Sequence, residues 1–319
     1  MAGLSVEAIE ALLGNQKAEW DTVRLNYAKL GRVRERELCV HGSRVLVQCN
    51  PERLRSSAAQ VDKASIALRP CFLCTENRPV EQRGIVWGDY IVIVNPYPIF
   101  AKHFTIPTLR HTAQRIVSRI GDMMRLAGLL EGYTVFYNGP ECGASAPDHC
   151  HFQAAEHGAM PLEAEIEHSV RRVVAIEGPR GSLSEARMGG RHCYVIDATD
   201  VEAGLKLFER LYAALPLHEG QAEPLMNVLC WTTAQQRCFT VVIPRSKHRP
   251  ACYFADGDGR LLISPASVDL GGIVVCSRVE DFERISADDI AAIFTEVCIT
   301  DTDVARINDM IKNKKTNIF

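Results

Sequence analysis

Hydrophobic and polar residues alternate at two different spacings in the first half of the chain. The helical spacing of Leu4, Ile9, Leu12 and Leu13 predicts an amphipathic helix over residues 4–20. A longer apolar stripe at the same spacing predicts a second helix over 112–130. Short apolar runs bounded by turn residues predict strands, which lie at 37–40, 44–48, 89–95, 103–106 and 133–137.

The second half repeats this mixture. Its pattern predicts helices over 162–174, 201–214 and from 281 onward, a Gly-rich loop over 178–190, and strands over 192–196, 226–231, 238–243 and 269–276. The runs Ile106-Pro-Thr-Leu-Arg-His111 and Ile243-Pro-Arg-Ser-Lys-His248 share the pattern Ile-Pro-x-x-basic-His at one offset (243 − 106 = 137 and 248 − 111 = 137). A constant offset predicts an internal duplication in which residues 91–95 correspond to 228–232.

The composition is that of an ordinary globular protein. Apolar residues make up 47% of the 319 residues and charged residues 24%. The formal net charge of −3 argues against sequence-independent binding of nucleic acid. No apolar run reaches the roughly 18 residues of a membrane span, and residues 1–20 do not resemble a signal peptide. Most of the twelve cysteines are scattered singly, which favours reduced thiols and a cytoplasmic location over a disulfide framework.

The densest candidate chemistry lies between Asn138 and Gln153. There a predicted strand enters a loop rich in Gly and Pro, and His149, His151 and Gln153 follow at a spacing of two. In an extended segment these three side chains share one face, about 6.5–7 Å apart, which suits contact with one phosphate group. A lone His-x-His also occurs by chance, and either ring could be a hydrogen-bonded core histidine.

Upstream of this stretch, Cys71 and Cys74 form a Cys-x-x-Cys pair in a predicted turn. Such a pair is either a redox dithiol or half of a zinc site. A redox pair should open a helix, whereas the following run Thr75-Glu-Asn-Arg-Pro79 disfavours one. A zinc site needs two further ligands from elsewhere in the chain.

Several basic residues are candidate phosphate contacts. Arg53, Arg55 and Arg69 precede the cysteine pair, and Arg245 and Lys247 belong to a basic segment at residues 245–249. Guanidinium groups match the geometry of phosphate oxygens. The alternative is that these residues lie on solvent-exposed surfaces, and the sequence leaves both possibilities open.

The arrangement Asn138…Gly143-x-Ser145…His149-x-His151-x-Gln153 resembles the transferase branch of the histidine-triad superfamily. That branch includes galactose-1-phosphate uridylyltransferase, diadenosine tetraphosphate phosphorylase and GDP-L-galactose phosphorylase, and the run His-Phe-Gln-Ala154 is most similar to the last of these. Two departures stand out. Asp148-His149-Cys150 replaces the His-Pro-His of the uridylyltransferase, and the loop from Ser145 to His149 is one residue longer.

The resemblance implies an α+β fold: a duplicated histidine-triad-like structure with two antiparallel-sheet halves and flanking helices. It makes His151 the nucleophile, with Gln153 as a hydrogen-bonding partner that cannot supply a proton as an acid would. The residues implied to hold phosphate oxygens are Asn138, Gly139, Gly143 and Ser145. The residues implied to bind a structural zinc ion, with no position left for substrate, are Cys71, Cys74, His111 and His149.

The implied activity is nucleotidyl transfer through a nucleotidyl-His151 intermediate. A nucleotide-sugar or dinucleoside polyphosphate would be cleaved, and the nucleotidyl group would pass to phosphate or a hexose 1-phosphate, with a GDP-hexose phosphorylase as the favoured type. The alternatives are a dinucleoside polyphosphate hydrolase, a non-catalytic nucleotide-binding protein, and a zinc-stabilised module that binds nucleic acid through residues 245–249.

Three segments are predicted. Residues 1–60 form an N-terminal extension with a helix and a hairpin, and residues 61–175 form the first histidine-triad-like half with the active site and the zinc site. Residues 176–319 form a second, degenerate half, which lacks His-x-His-x-Gln.

Overall fold

A computed structural model describes residues 3–53, 65–66, 68–169 and 172–313. Its helices are α1 (Val6–Glu19), α2 (Asp21–Leu30), α3 (Ile120–Leu129), α4 (Pro161–Ala164), α5 (Val201–Tyr212), α6 (Ala251–Phe254), α7 (Ser267–Leu270), α8 (Val279–Arg284), α9 (Ala287–Val297) and α10 (Asp301–Asn313). Its strands are β1 (Arg34–Val40), β2 (Ser43–Cys49), β3 (Gly84–Trp87), β4 (Tyr90–Val94), β5 (His103–Pro107), β6 (Tyr133–Asn138), β7 (His151–Glu156), β8 (Arg172–Gly178), β9 (Gly181–Met188), β10 (Arg191–Ala198), β11 (Met226–Thr232), β12 (Cys238–Pro244) and β13 (Ile273–Cys276). The α+β class is confirmed.

Ten of these strands form one continuous sheet in the order β3-β4-β5-β7-β6-β11-β12-β10-β9-β8. Every neighbouring pair in it is antiparallel, including β6 and β11 at its centre, where Asn138 lies opposite Asn227. The predicted antiparallel halves are therefore two five-stranded halves of one sheet. A smaller sheet, β1-β2-β13, pairs the N-terminal hairpin with a strand from near the other end of the chain.

The two halves of the large sheet share one chain order. The first runs β3, β4, β5, α3, β6, β7, and the second runs β8, β9, β10, α5, β11, β12. This order makes β12 the counterpart of β7 and β10 the counterpart of β5. The predicted offset of 137, which set residues 91–95 against 228–232, is therefore wrong, because it aligned β4 and β5 with β11 and β12.

Two elements predicted between β7 and β10 are also wrong. The predicted helix over 162–174 ends after α4 and one wider π-helical turn (Glu165–Ser169), and β8 begins at Arg172. The predicted loop over 178–190 is largely strand β9, between β8 and β10. Its Gly181 marks a close backbone approach, since a Cβ there would lie 2.7 Å from the Asp197 carbonyl oxygen.

The predicted helix over 112–130 begins only at Ile120. In the preceding segment, the backbone N–H of Ile116 donates to Glu223 (2.8 Å) and the side chain of Gln114 bonds to two strands. Because these groups are engaged in tertiary hydrogen bonds, the segment takes an irregular path.

Side chains of the large sheet alternate between two cores. In β6, Val135 and Tyr137 face a core shared with α1, α2, α3, α5 and α10, whereas Phe136 faces a core shared with the small sheet and α9. The functional residues described below lie on the second of these faces. Within the described residues, no helix combines the length and apolar composition that a membrane crossing requires. The predicted segment boundaries at residues 60 and 175 remain predictions.

Candidate functional site

His151 opens β7 beside a large cavity. Phe152 is buried in the helix-side core, whereas His151 and Gln153, on the opposite face of the strand, line a cavity of about 680 Å³. Its walls come from both halves of the chain, because residues between 264 and 275, which lie outside the large sheet, also line it. A cavity of this size falls within the range of roughly 300–1,000 Å³ typical of small-molecule sites.

The hydrogen bonds of His151 determine which ring nitrogen is available. Its Nδ1 lies 2.8 Å from the carbonyl oxygen of His149. Because a carbonyl can only accept, Nδ1 carries the proton and Nε2 keeps its lone pair. Burial lowers the pKa of His151 to about 4, so the ring is neutral at neutral pH.

Gln114 holds the backbone around His151, a role that the sequence did not reveal. Its Oε1 accepts from the backbone N–H of His151 (2.8 Å), and its Nε2 donates to the carbonyls of His151 (3.1 Å) and Asn138 (2.9 Å). Gln114 is almost completely buried. One side chain therefore joins the end of β6 to the beginning of β7 and fixes the position of the nucleophile candidate.

Gln153 is oriented by a second histidine. The backbone N–H of Ile99 donates to Nδ1 of His103 (3.2 Å), so Nε2 of that ring carries the proton and donates to Oε1 of Gln153 (3.0 Å). The amide oxygen of Gln153 is thereby engaged, which leaves the NH2 group for the cavity. Burial lowers the pKa of His103 to about 3 and keeps the ring neutral.

The loop between β6 and β7 forms another wall of the cavity. Asn138, Gly143 and Ser145 line it, whereas Gly139 lies behind them and donates its N–H to the Met226 carbonyl (3.1 Å). Gly143 has a φ of +92°, and a Cβ there would lie 2.5 Å from Cβ of Ala266. Only glycine fits where this loop meets the second half.

Of the two arginines predicted near the N-terminus, Arg53 lines the cavity and donates to the Tyr97 carbonyl (2.8 Å). Burial lowers its pKa to about 10, with the Asp269 carboxylate acting against this shift, so the guanidinium stays charged at neutral pH. Arg55 lies outside the described residues. Arg69 also lines the cavity and donates to the Ser145 carbonyl (2.6 Å).

Arg245 and Lys247 were predicted to bind substrate, and the structure places neither among the residues that line this cavity. All five N–H groups of the Arg245 guanidinium donate within the protein, one of them to the Asn227 side chain and four to carbonyls. Lys247 pairs with Glu296 (3.0 Å). Their neighbours His248 and Arg249 line the cavity instead.

The four predicted zinc ligands come together beside this cavity. The ligand atoms of Cys71, Cys74, His111 and His149 all lie within 4.8 Å of one another. The Cys74 sulfur lies 3.1 Å from Nδ1 of His111, and the Cys71 sulfur lies 3.3 Å from Nδ1 of His149. In a tetrahedral zinc site, neighbouring sulfur and nitrogen ligands are roughly 3.5 Å apart. The cluster therefore has the composition and spacing of a four-ligand metal site.

The far sides of both rings carry the contacts that metal-binding histidines commonly make. Nε2 of His149 lies 2.8 Å from the Thr108 carbonyl, and Nε2 of His111 lies 3.4 Å from the Asp148 carboxylate. Each ring thus turns Nδ1 to the sulfurs and Nε2 to an oxygen. A metal held here would cross-link the cysteine turn, the segment after β5 and the loop before β7. With four protein ligands it would be structural.

The comparisons with known proteins agree with this architecture. Residues 12–156 match a family model described as a domain of unknown function, DUF4922. The structure of yeast Ap4A phosphorylase Apa2 in complex with AMP aligns with a TM-score of 0.57 at 16% identity, covering 89% of this chain and 95% of the yeast chain. The complex of the same enzyme with Ap4A aligns with a TM-score of 0.54 at 15% identity, covering 87% and 96%. No curated protein sequence matches the chain.

The chain shares its fold with yeast Ap4A phosphorylase Apa2. The DUF4922 match ends at Glu156, the last residue of β7, and therefore contains His151, Gln153 and all four cluster residues. In the second half, β12 is the counterpart of β7, and it is buried along its length and consists of Cys-Phe-Thr-Val-Val-Ile-Pro. The expected loss of the histidine motif from the second half thus coincides with an apolar strand.

We expect His149→Ala and Cys74→Ser to lose bound zinc, from about one ion per chain to nearly none, and to unfold at a lower temperature, because the metal would tie three segments together. Elemental mass spectrometry and thermal unfolding measure the two effects. His151→Ala, two positions away, and Cys39→Ser, on the surface, are the controls and should keep the metal. Full metal content in His149→Ala would contradict the ligand assignment.

We expect the His103 ring to stay neutral, with its proton on Nε2, down to about pH 4. Its folded pKa of about 3 lies below the roughly 6.5 of an unfolded histidine, so this residue reduces stability as the pH falls between those values. Nitrogen-15 NMR of labelled histidine reports the tautomer. Urea unfolding at about pH 7 and pH 5 should show a smaller acid loss for His103→Gln. A ring protonated near pH 6 would contradict the assignment.

Proposed function

We propose that the protein is a nucleotidyltransferase of the phosphorylase type that works through a nucleotidyl-His151 intermediate. The observation that carries this proposal is the geometry of His151. Its Nδ1–H donates to the His149 carbonyl, and His151 lines a cavity together with the amide side chains of Asn138 and Gln153 and several guanidinium groups. A neutral imidazole with an available lone pair is a competent nucleophile towards phosphorus.

The first step would be attack by Nε2 of His151 on the phosphorus of the nucleotidyl group. A P–N bond forms as the bond to the bridging oxygen breaks, and the remainder of the substrate leaves with that oxygen. The NH2 groups of Asn138 and Gln153 would donate to the phosphoryl oxygens as their charge is redistributed. In the second step, an oxygen of the acceptor attacks the same phosphorus, the P–N bond breaks, and the imidazole is restored.

The charges around the cavity favour a substrate with several phosphates. Arg53, Arg69 and Arg249 line the cavity from three separate segments. The acidic residues that line it are Glu81 and Asp269. Arg69 and Arg53 are also anchored by carbonyls, so their guanidinium groups are held in place before substrate arrives. His248 and Arg249 come from the second half, and we place the acceptor phosphate or sugar phosphate on that side.

Two substrate classes fit this proposal. The run from His151 to Ala154 favours a GDP-hexose, whereas the fold shared with a protein crystallised with Ap4A favours a dinucleoside polyphosphate. For the latter, phosphorolysis would convert dinucleoside tetraphosphate and phosphate into a nucleoside triphosphate and a nucleoside diphosphate. Gln153 can neither supply nor take up a proton, whereas attack by water needs a base to accept a proton, which favours an acceptor that is already anionic.

We expect a panel of nucleotide-sugars and dinucleoside polyphosphates, tested without phosphate, to yield a protein adduct one nucleotidyl group heavier by intact mass spectrometry. Adding phosphate should discharge it. His151→Ala should abolish the adduct and lower turnover by about a thousandfold or more, because no other group replaces the nucleophile. His218→Ala, which removes an exposed histidine, is the matched control and should behave like the unaltered protein.

Two outcomes would overturn this proposal. Turnover that proceeds equally well without phosphate or sugar phosphate would indicate a hydrolase. The absence of any adduct or turnover across the panel, with nucleotides still bound, would indicate a binding protein.

A further inference from the structure

The amide oxygen of Asn138 is held by residues of the second half. It lies 2.8 Å from the backbone nitrogen of Ser267 and 2.9 Å from Nδ2 of Asn227. Ser267 begins α7, and Asn227 lies in β11, directly opposite Asn138 in the central strand pair. A backbone N–H can only donate, so the Asn138 atom that faces it is the oxygen.

The orientation of Asn227 is equally well defined. Its Oδ1 accepts from Nη1 of Arg245 (2.7 Å), and a guanidinium can only donate. Its Nδ2 faces the carbonyl oxygen of Cys142 (2.8 Å), which can only accept. Each assignment depends on a partner that can only donate or can only accept. Rotating the amide of Asn138 or Asn227 by 180° would therefore place a donor against a donor or an acceptor against an acceptor. Asn227 and Arg245 are almost completely buried, which excludes water as a substitute partner.

We propose that the second half of the sheet orients the active site of the first. Arg245 fixes Asn227, and Asn227 together with Ser267 engages the oxygen of Asn138. The NH2 group of Asn138 is thereby directed into the cavity. Asn227, Ser267 and Arg245 are positioning residues, and the identity of the bound group as a phosphate attacked by His151 rests on the proposed function above.

This arrangement gives the degenerate half a definite role. Asn138 lines the cavity with Gln153, whose oxygen is engaged by His103, so both amides present donors rather than acceptors. Donors stabilise the negative charge on phosphoryl oxygens, whereas an amide oxygen in the same place would repel it. The contact of Asn227 with the Cys142 carbonyl also holds the loop that carries Gly143 and Ser145.

The orientation is tested first by Asn138→Asp against Asn138→Ala. Aspartate keeps an oxygen for Ser267 and Asn227 but puts a second oxygen where the NH2 group was. We expect Asn138→Asp to fold as stably as the unaltered protein, yet to bind AMP about tenfold or more weakly and to lose about a hundredfold in kcat. Asn138→Ala should be less stable than Asn138→Asp. Near-normal AMP binding and kcat in Asn138→Asp would mean that the oxygen faces the cavity, and would overturn the proposal.

The role of Asn227 is tested by a double-mutant cycle with Asn138→Ala. We expect Asn227→Ala to lower kcat about tenfold with little change in KM, and to have less than about a twofold effect when Asn138 is already alanine. Asn308→Ala, which removes an asparagine that accepts from the Tyr194 hydroxyl, is the matched control and should act independently of Asn138. Equal effects of Asn227→Ala in both backgrounds would overturn the proposal. Ser267→Ala, which keeps the backbone N–H, provides a milder variant if Asn227→Ala unfolds.

The same cycle measured by urea unfolding needs no substrate. Strong coupling between positions 138 and 227 in unfolding free energy, without any adduct on His151, would retain the positioning network and reject the proposed reaction. An adduct on His151 without coupling between the two asparagines would reject the network and retain the reaction.

Discussion

The pairing of β6 with β11 is the contact on which the rest of the molecule depends. It joins two five-stranded halves into one sheet and sets Asn138 directly opposite Asn227. The loop that leaves β6 towards His151 also lies against the segment of the second half that carries Ser267, whose backbone N–H donates to Asn138. A cavity with walls from both halves follows, and neither half could form it alone. The second half therefore supplies part of the cavity wall, whereas His151 comes from the first half.

Within this cavity, the chemistry is decided by which hydrogen-bonding groups are already engaged. His151, Gln153 and Asn138 could each present a donor or an acceptor in isolation. In each case a neighbour that can only donate or only accept decides the orientation. The His149 carbonyl accepts from His151, and the Ser267 N–H donates to Asn138. For Gln153, the Ile99 N–H fixes the tautomer of His103, which then donates to the amide oxygen. An unpaired buried polar group costs about 1–3 kcal/mol, so these orientations persist before any ligand arrives. The site is preorganised to present one lone pair and two amide donors.

How much of this could be predicted from sequence depended on whether the information was local. His151, Gln153 and the Cys71–Cys74 pair carry short, specific spacings, and the structure brings each of them to the expected place. The orienting residues Gln114, His103 and Asn227 have no such signature, because their roles arise from contacts between distant segments. The same limit explains Arg245. A basic residue in a basic segment suggests contact with phosphate, but the Arg245 guanidinium is buried and donates to backbone carbonyls of the protein. Strand β9 was not predicted because glycines that permit close strand approach resemble those of loops, whereas β8 begins within the segment predicted as a helix over 162–174.

The separation of roles between His149 and His151 follows from where β7 begins. A fully extended segment would have directed both rings to one face, but the strand starts at His151, and His149 lies in the preceding turn with its N–H bonded to the Ala146 carbonyl. Its ring therefore enters the cysteine cluster while its carbonyl accepts from His151 Nδ1. His149 thus contributes its side chain to the cysteine cluster and its backbone carbonyl to the orientation of His151. A shift of the His149 backbone would therefore disturb both the cluster and the hydrogen bond that keeps the proton on Nδ1 of His151.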